Sequence, residues 1–331
     1  MRKILGINIS HHCSFAYFEN NILKEYYEED RFNKIKAYIP EADEHGIYTY
    51  EYQVLKKFQN ITFDAVVFSS YDRGHLQIEL PIIKHCLKQL KYKTYFFDIK
   101  NHHIYHAVCG YYFSKFDEAI AVVSDGGSES VISPWFKTLQ SIYTINKNQI
   151  KTKYIHVTSG RNDYFNNFVD TEINLKKTSD EDEYFLFEDF NILPKPAFIK
   201  KDVDYRISNK KIGGLKYINY LIMAGFDEGE EGQMMGIAAY KNKGTDLNPK
   251  VLEIANNAQE ETLQEAIELI NKAKKYSECK NIILSGGYHM NCSNNFKLVK
   301  HFPEYNFFVD PIAYDGGTAV GAAFYYENYK K

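Results

Sequence analysis

The chain is poor in cysteine, with five in 331 residues and no CxxC pair among them. Cys13, Cys86, Cys109, Cys279 and Cys292 are scattered and odd in number. That pattern excludes a disulfide framework and a cysteine-based zinc site, and points to reduced thiols. No stretch approaches the ~20 apolar residues of a membrane span. The opening MRKILGINISHHCSFAYF is too polar beyond its short apolar run for a secretion signal. The expectation is a soluble, cytoplasmic protein with no membrane partner. Charge of one sign is also missing: 40 Lys and Arg stand against 43 Asp and Glu, for a net −3. A general nucleic-acid binder needs a basic face to displace counterions, so the charge argues against that class, while it does not exclude a small nucleotide ligand. Neither GxxxxGK[ST] nor GxGxxG occurs, which removes P-loop and Rossmann sites.

What is present is a repeated α/β pattern. KILGINI, FAYFEN and ILKEYYEED read as a strand meander. Residues 50–60 then read as helix, 61–71 as strand, 81–90 as a short amphipathic helix and 94–99 as strand, and 102–113 have helical spacing. The pattern restarts at AIAVVSDGG, residues 119–127, with SVISPWFK and SIYTINKNQI as further strands. Helices follow near 213–225 and 250–275. NIILSGG and NFFVDPIAYDGG read as strands running into glycines, the first before a helix over 288–299, and TAVGAAFYYENY as a closing helix. A length of 331 residues with a doubled pattern predicts two similar α/β lobes around a cleft. Lobe I takes residues 1–116, with the closing helix 317–331 packing back on it, and lobe II takes 117–316. Residues 159–209 break the pattern. They carry an acidic-aromatic run over 179–190 and read as an insertion: a solvated surface arm, or a lid or docking arm whose aromatics need something to pack on.

The strongest chemical signal is Asn101-His102-His103-Ile-Tyr-His106. His102 and His106 are four residues apart and lie one above the other on a helix face. Two imidazoles so placed can grip a divalent ion, but such a site wants further ligands. Asp125 and Asp315 each end an apolar strand at a Gly-Gly turn, facing the same predicted cleft. Two histidines with two aspartates suit iron, manganese or zinc. The glycines of three strand ends come next: Gly6 ahead of His11-His12, Gly126-Gly127, and Gly286-Gly287 before a helix. Each allows backbone N–H groups to approach a phosphate, which makes a nucleotide or phosphoanion cleft the joint expectation. His12 has the ordinary pKa of a general base near neutrality. Cys13 beside it has no thiolate-stabilising context and reads as a bland thiol.

Taken together, these stretches resemble the TsaD-like domain of the NodU/CmcH/TobZ-type O-carbamoyltransferases. LGINISHHCSFAYFEN is similar to LGI…HDSAAAL…DG, Glu29 to Lys36 to EERF(S/T)RxKH, and His102 to Ala107 to HHxxHA. The strand ending at Asp125-Gly126, Gly214 to Tyr217 with Gly225-Phe226, and Glu231 to Tyr240 match further motifs in order, the last being EGKVMGLAxYG. Gly286 to Leu298 resembles GGVALNCVANGKL, and Pro311 to Ala323 resembles PAxGDxGxALGAA. The resemblance spans nearly the whole chain outside 159–209. It implies the two-lobed actin, sugar-kinase and heat-shock-chaperone (ASKHA) fold with duplicated RNase H-like lobes. It implies transfer of a carbamoyl group from carbamoyl-adenylate, an ATP-derived nucleotide, to an acceptor hydroxyl. It implies a metal, typically iron with zinc or manganese as alternatives, held by His102, His106, Asp125 and Asp315. The strand ends around Gly126, Gly127, Gly286, Gly287, Asn291 and Asn295 would hold the adenylate, His12 would stand at the acceptor, and Arg31, Lys36 and Glu231 would bind substrate.

The chain departs from the pattern in three places. Cys13 replaces the acid of HDS, and Gln233 replaces the lysine of EGKVMG. The family's following YrdC-like domain, which makes carbamoyl-adenylate, has no counterpart in these residues, so a separate YrdC-like synthase is the expected partner, beside a sugar or small-molecule acceptor. A homodimer stays open. Two alternatives share the motifs: a non-catalytic scaffold that binds nucleotide or metal, and a relative that (threonyl)carbamoylates a nucleoside or tRNA.

Overall fold

Two β-sheets carry the chain, and each opens with an antiparallel meander. A computed structural model describes residues 1–40, 50–70, 76–128, 137–158, 173–176, 202–208, 210–227, 229–241 and 246–330. The first sheet begins with β1 (Lys3–Asn8), β2 (Ser14–Glu19) and β3 (Ile22–Glu28). The short helices α1 (Asp30–Asn33) and α2 (Gln53–Phe58) lead to β4 (Thr62–Ser69), which returns parallel to β1. Helix α3 (Leu76–Lys88) crosses over to β5 (Lys91–Phe97), parallel to β4, and gives the order β3-β2-β1-β4-β5. Helix α4 (His102–Ser114) then passes to the second sheet. There β6 (Glu118–Ser128), β7 (Lys137–Asn146) and β8 (Gln149–Thr158) form the second meander. Strands β9 (Ile173–Lys176) and β10 (Asp204–Ser208) widen the sheet beyond β8. Helices α5 (Gly213–Met223), α6 (Glu231–Ala238) and α7 (Pro249–Ala273) precede β11 (Asn281–Ser285), α8 (Cys292–His301), β12 (Asn306–Val309) and the closing α9 (Thr318–Asn328). Within the order β12-β11-β6-β7-β8-β10-β9, the run β8-β7-β6-β11-β12 repeats the first sheet strand for strand.

The apolar patterning explains this layering. On β1, Leu5 and Ile7 join one core with Val54, Leu55, Ile82 and Ile83 from α2 and α3, while Ile4 joins another with Ala319, Val320 and Ala323 of α9. A strand covered on both faces reads as a continuous apolar run, as KILGINI does. In the second sheet, Ile282 and Leu284 pack with Leu269 and Ile270 of α7, and Ile283 packs with Ala107 and Val108 of α4. Helices α4 and α9 therefore pack on each other between the two sheets. Small residues make the crossing possible. A Cβ on Gly321 would sit 1.9 Å from the Tyr105 carbonyl oxygen, and one on Gly6 would sit 2.0 Å from that of Ala319. Gly6 thus admits α9 onto β1; its space is filled by that helix and not by a phosphate. The G321A substitution is expected to lower stability by about 1–3 kcal/mol, the usual cost of overpacking, read as a fall in denaturant midpoint at unchanged slope.

Several boundaries differ from the sequence expectation. The helix expected from Pro81 begins at Leu76, so proline sits inside it and one ladder bond is given up. SIYTINKNQI is two strand ends joined by a turn: Asn146 Oδ1 accepts from the amides of Asn148 and Gln149, folding β7 back onto β8. The helix expected over 288–299 is a 3₁₀ turn, Gly287–Met290, and then α8. The break falls at Asn291, whose Oδ1 caps the Asn294 amide. Helix α6 was not foreseen. Part of the 159–209 insertion is sheet, namely β9 and β10. SVISPWFK up to residue 136 and the acidic-aromatic run 179–190 lie outside the described residues. Among the described residues no helix is long and apolar enough to cross a membrane.

Candidate metal centre

The first two turns of α4 bring His102 and His106 to one end of the layer between the sheets, where Asp125 lies three residues from the end of β6 and a 3₁₀ turn before α9 starts at Asp315. One donor atom from each of the four residues lies within 4.8 Å of the others. His102 Nε2 is 3.4 Å from Asp125 Oδ2 and 3.6 Å from Asp315 Oδ1. His106 Nε2 is 3.6 Å from Asp315 Oδ1 and 3.9 Å from Asp125 Oδ2, and the two ring nitrogens are 3.1 Å apart. Both histidine side chains are fully buried. Burial works against ionising Asp125, and so does Asp315. The hydrogen bond from His102 and the potential of both imidazoles prevail and hold Asp125 at about 2. Asp315 meets the same opposition from burial, and His102 and His106 hold it well below the usual carboxylate range.

Each carboxylate is aimed by its second oxygen. Asp125 Oδ1 accepts the Gly287 amide at 3.2 Å, and Asp315 Oδ2 faces Ser10 Oγ at 3.3 Å. The free oxygens then point at the histidines. Gly286 is shaped for this: its φ is +90°, and a Cβ would lie 2.4 Å from the Ser124 carbonyl oxygen. His103, between the two ligand histidines in sequence, turns away to share a 2.8 Å hydrogen bond with Ser141 Oγ, and burial pushes it down to about 3. Two ionised carboxylates and two imidazoles aimed at one point are the donor set a borderline divalent cation takes. The residues present therefore fit iron, manganese or zinc.

His12 stands beside this cluster. Its backbone is left-handed at φ 54°, held by the Asn8 amide, which donates to the carbonyls of His11 and His12 at 2.7 and 3.3 Å. Its ring packs against Tyr314 at 4.6 Å between centroids. Burial lowers its pKa below the ordinary histidine value, against the opposing pull of Asp315 and Glu28, so it is a neutral acceptor of protons near pH 7. Cys13 next to it is fully buried.

The remaining sequence candidates fall into two groups. Gly126 and Gly127 lie within β6, with Gly214 of α5 laid against the Gly126 backbone. The Gly287 amide, expected at a phosphate, is given to Asp125. Asn291 caps α8 and donates to Gln259, and Asn295 pairs with His289 through both ends of its amide. Arg31 is 74% exposed and pairs with Glu28 at 3.2 Å and Asp30 at 3.6 Å. Lys36 and Glu231 meet at Gly229, the first donating to its carbonyl and the second accepting from its amide. Glu29, within the EERF-like stretch, is a structural cap: its two oxygens accept the amides of Gln53 and Val54 at the start of α2. Sequence reasoning missed Asn8, Ser10, Glu28 and Tyr314, since nothing local in their strands or loops marks them.

The family model described as Carbamoyltransferase N-terminus matches residues 14–324. An uncharacterized protein of Synechocystis sp., sll1178, is 25% identical over 227 residues, 67% of this chain and 35% of that protein. The tRNA N6-adenosine threonylcarbamoyltransferase of Fervidobacterium nodosum is 26% identical over 127 residues, 38% of this chain and 32% of that protein. The chain spans about a third of the length of these curated relatives. Among solved structures, full-length HypF in its phosphate- and nucleotide-bound form gives a TM-score of 0.52 at 11% identity, over 98% of this chain and 55% of that one. A ROK family protein from Streptococcus pneumoniae in complex with sucrose gives 0.50 at 12% identity, over 99% of this chain and 100% of that one. These likenesses carry the fold, which is the two-lobed actin, sugar-kinase and chaperone architecture. Matched along nearly its full length, this chain belongs to the carbamoyltransferase family, to whose N-terminal domain it corresponds.

Proposed function

We propose that this chain transfers a carbamoyl group from carbamoyl-adenylate to an acceptor hydroxyl at the cluster of His102, His106, Asp125 and Asp315. The observation that carries this reading is the convergence of those four donors within 4.8 Å in a chain of the carbamoyltransferase family. A divalent cation bound there supplies Lewis-acid stabilisation of the charge that develops on the carbamoyl oxygen. That help matters because a carbamoyl carbonyl is resonance-stabilised and a poor electrophile, whereas AMP is a good leaving group. His12, neutral near pH 7, takes the proton of the acceptor hydroxyl as its oxygen attacks the carbamoyl carbon and the bond to AMP breaks. Its lowered pKa and its left-handed backbone support that role.

We further propose that a YrdC-like domain or protein makes the carbamoyl-adenylate, and that the acceptor is a sugar or other small hydroxyl compound. Elemental analysis of protein purified without chelator, paired with calorimetric titration of AMP, tests the reading. About one iron, zinc or manganese per chain together with AMP binding is the expected result. A chain that binds neither metal nor AMP contradicts it.

A further inference from the structure

Three polar side chains on successive strands line one end of the first sheet. Asn8 ends β1, Ser14 begins β2 and Glu28 ends β3, and the ladder sets Asn8 opposite Ser14 and Ser14 opposite Glu28. Directly opposed residues share a face, so the three form one row, and all three are buried. Glu28 and Ser14 bond directly to the loop before α9, and Asn8 meets it only through Ser10. The Tyr314 hydroxyl donates to Glu28 Oε1. Ser14 Oγ donates to the Gly316 carbonyl at 2.7 Å. Asn8 Oδ1 accepts from the Ser10 amide at 3.0 Å and lies 2.6 Å from Ser10 Oγ, whose single hydrogen can serve either Asn8 or Asp315 Oδ2 at 3.3 Å. Glu28 binds most: Tyr26 donates to its Oε1 at 2.9 Å, and Arg31 pairs with its Oε2 at 3.2 Å.

We propose that Glu28 is a positioning residue for the metal centre, fastening the Asp315 loop and the His12 ring to the first sheet through Tyr314. The inference rests on the metal reading above. The physical case is one of leverage. Tyr314 is one residue from Asp315, so fixing its hydroxyl fixes the backbone that aims the carboxylate. Its ring also packs on His12, so the same hydrogen bond sets the wall against which that imidazole lies. A buried carboxylate that accepts two phenol hydroxyls and an arginine makes charge-assisted bonds, the stronger kind. Partners that orient metal ligands in this way typically contribute 10–100-fold to metal affinity. Arg31 then serves to hold Glu28, which gives that arginine a role besides substrate binding.

Zinc(II) affinity of the full chain, measured by competition with a chromophoric chelator, tests this without reference to turnover. Glu28→Ala is expected to weaken zinc binding roughly 10–100-fold. Glu28→Gln keeps a carbonyl oxygen for the two tyrosines and is expected to bind close to wild type. Tyr314→Phe is expected to weaken zinc like Glu28→Ala, and the double variant to add little to either, since both remove one link. Tyr314→Phe keeps the ring in place and so carries the test if Glu28→Ala does not fold. Zinc binding by the wild type that is equally tight in both single variants overturns the inference alone. A wild-type chain that takes none of zinc, iron(II) and manganese(II) overturns the metal reading and the inference together.

Discussion

Alanine in place of His102 or Asp315 is expected to empty the centre of metal and to lower carbamoyl transfer by about 10³–10⁴-fold. Lewis-acid stabilisation of a developing oxyanion is worth several kcal/mol, and about 4–5 kcal/mol corresponds to that factor in rate. Both residues are needed because no donor can be replaced from the surroundings: the histidines are fully buried and the carboxylates nearly so. Asp125 and Asp315 also remain ionised only because the imidazoles oppose their burial. Their carboxyl pKa values are depressed in the folded chain, so the stability they contribute is present above the unfolded value near 4 and is lost as pH falls from there towards 2. The metal-free protein should therefore lose stability across that acid window, and His102→Ala should weaken the effect because it removes the hydrogen bond that depresses Asp125. Metal content, transfer rate and acid unfolding of the same preparations check all three. Full metal occupancy in His102→Ala contradicts the ligand assignment.

The second large effect belongs to His12. Substitution by asparagine is expected to lower transfer by about 10²–10⁴-fold, the range for loss of a general base, with metal content unchanged. Asparagine suits the test because it tolerates the left-handed backbone that His12 adopts, and the Asn8 amide holds backbone carbonyls that the substitution leaves in place. The pH dependence is also specified. Burial lowers the His12 pKa below 6.5, so the base form prevails at neutral pH. The wild-type rate should climb with pH on a limb centred below 6.5 and stay flat through pH 7, and that limb should be missing from His12→Asn. A limb centred above 7, or a variant as fast as wild type, sinks the assignment of His12.

Much of the centre was legible because its residues carry local marks. His102 and His106 have helical spacing, and Asp125 and Asp315 each stand directly before paired glycines, although Asp125 proves to lie inside β6 and Asp315 in a 3₁₀ turn beyond β12. The doubled fold was legible for a related reason: the apolar strands of each half are covered on both faces and stand out as runs. The row of Asn8, Ser14 and Glu28 was not legible, because its members are brought together by strand register, which no single strand displays. Asn291 and Asn295 carry roles that their motif alone does not display, one as a helix cap and the other as the partner of His289. The EERF-like stretch is similar in this respect: Glu29 caps α2, while Glu28 just before the stretch takes the Tyr314 hydroxyl. The hairpin within 141–150 was read as one strand because its turn residues, Lys147 and Asn148, interrupt an otherwise alternating pattern only briefly.

The central claim, carbamoyl transfer that depends on this metal centre, is tested most directly by supplying carbamoyl-adenylate and a panel of hydroxyl acceptors to the purified chain and measuring AMP release alongside O-carbamoyl product. The account predicts acceptor-dependent release that disappears after chelation and returns when iron(II) or zinc(II) is restored. Transfer that proceeds at the same rate in the chelated protein would contradict it, as would a metal-loaded chain that leaves carbamoyl-adenylate untouched with every acceptor offered.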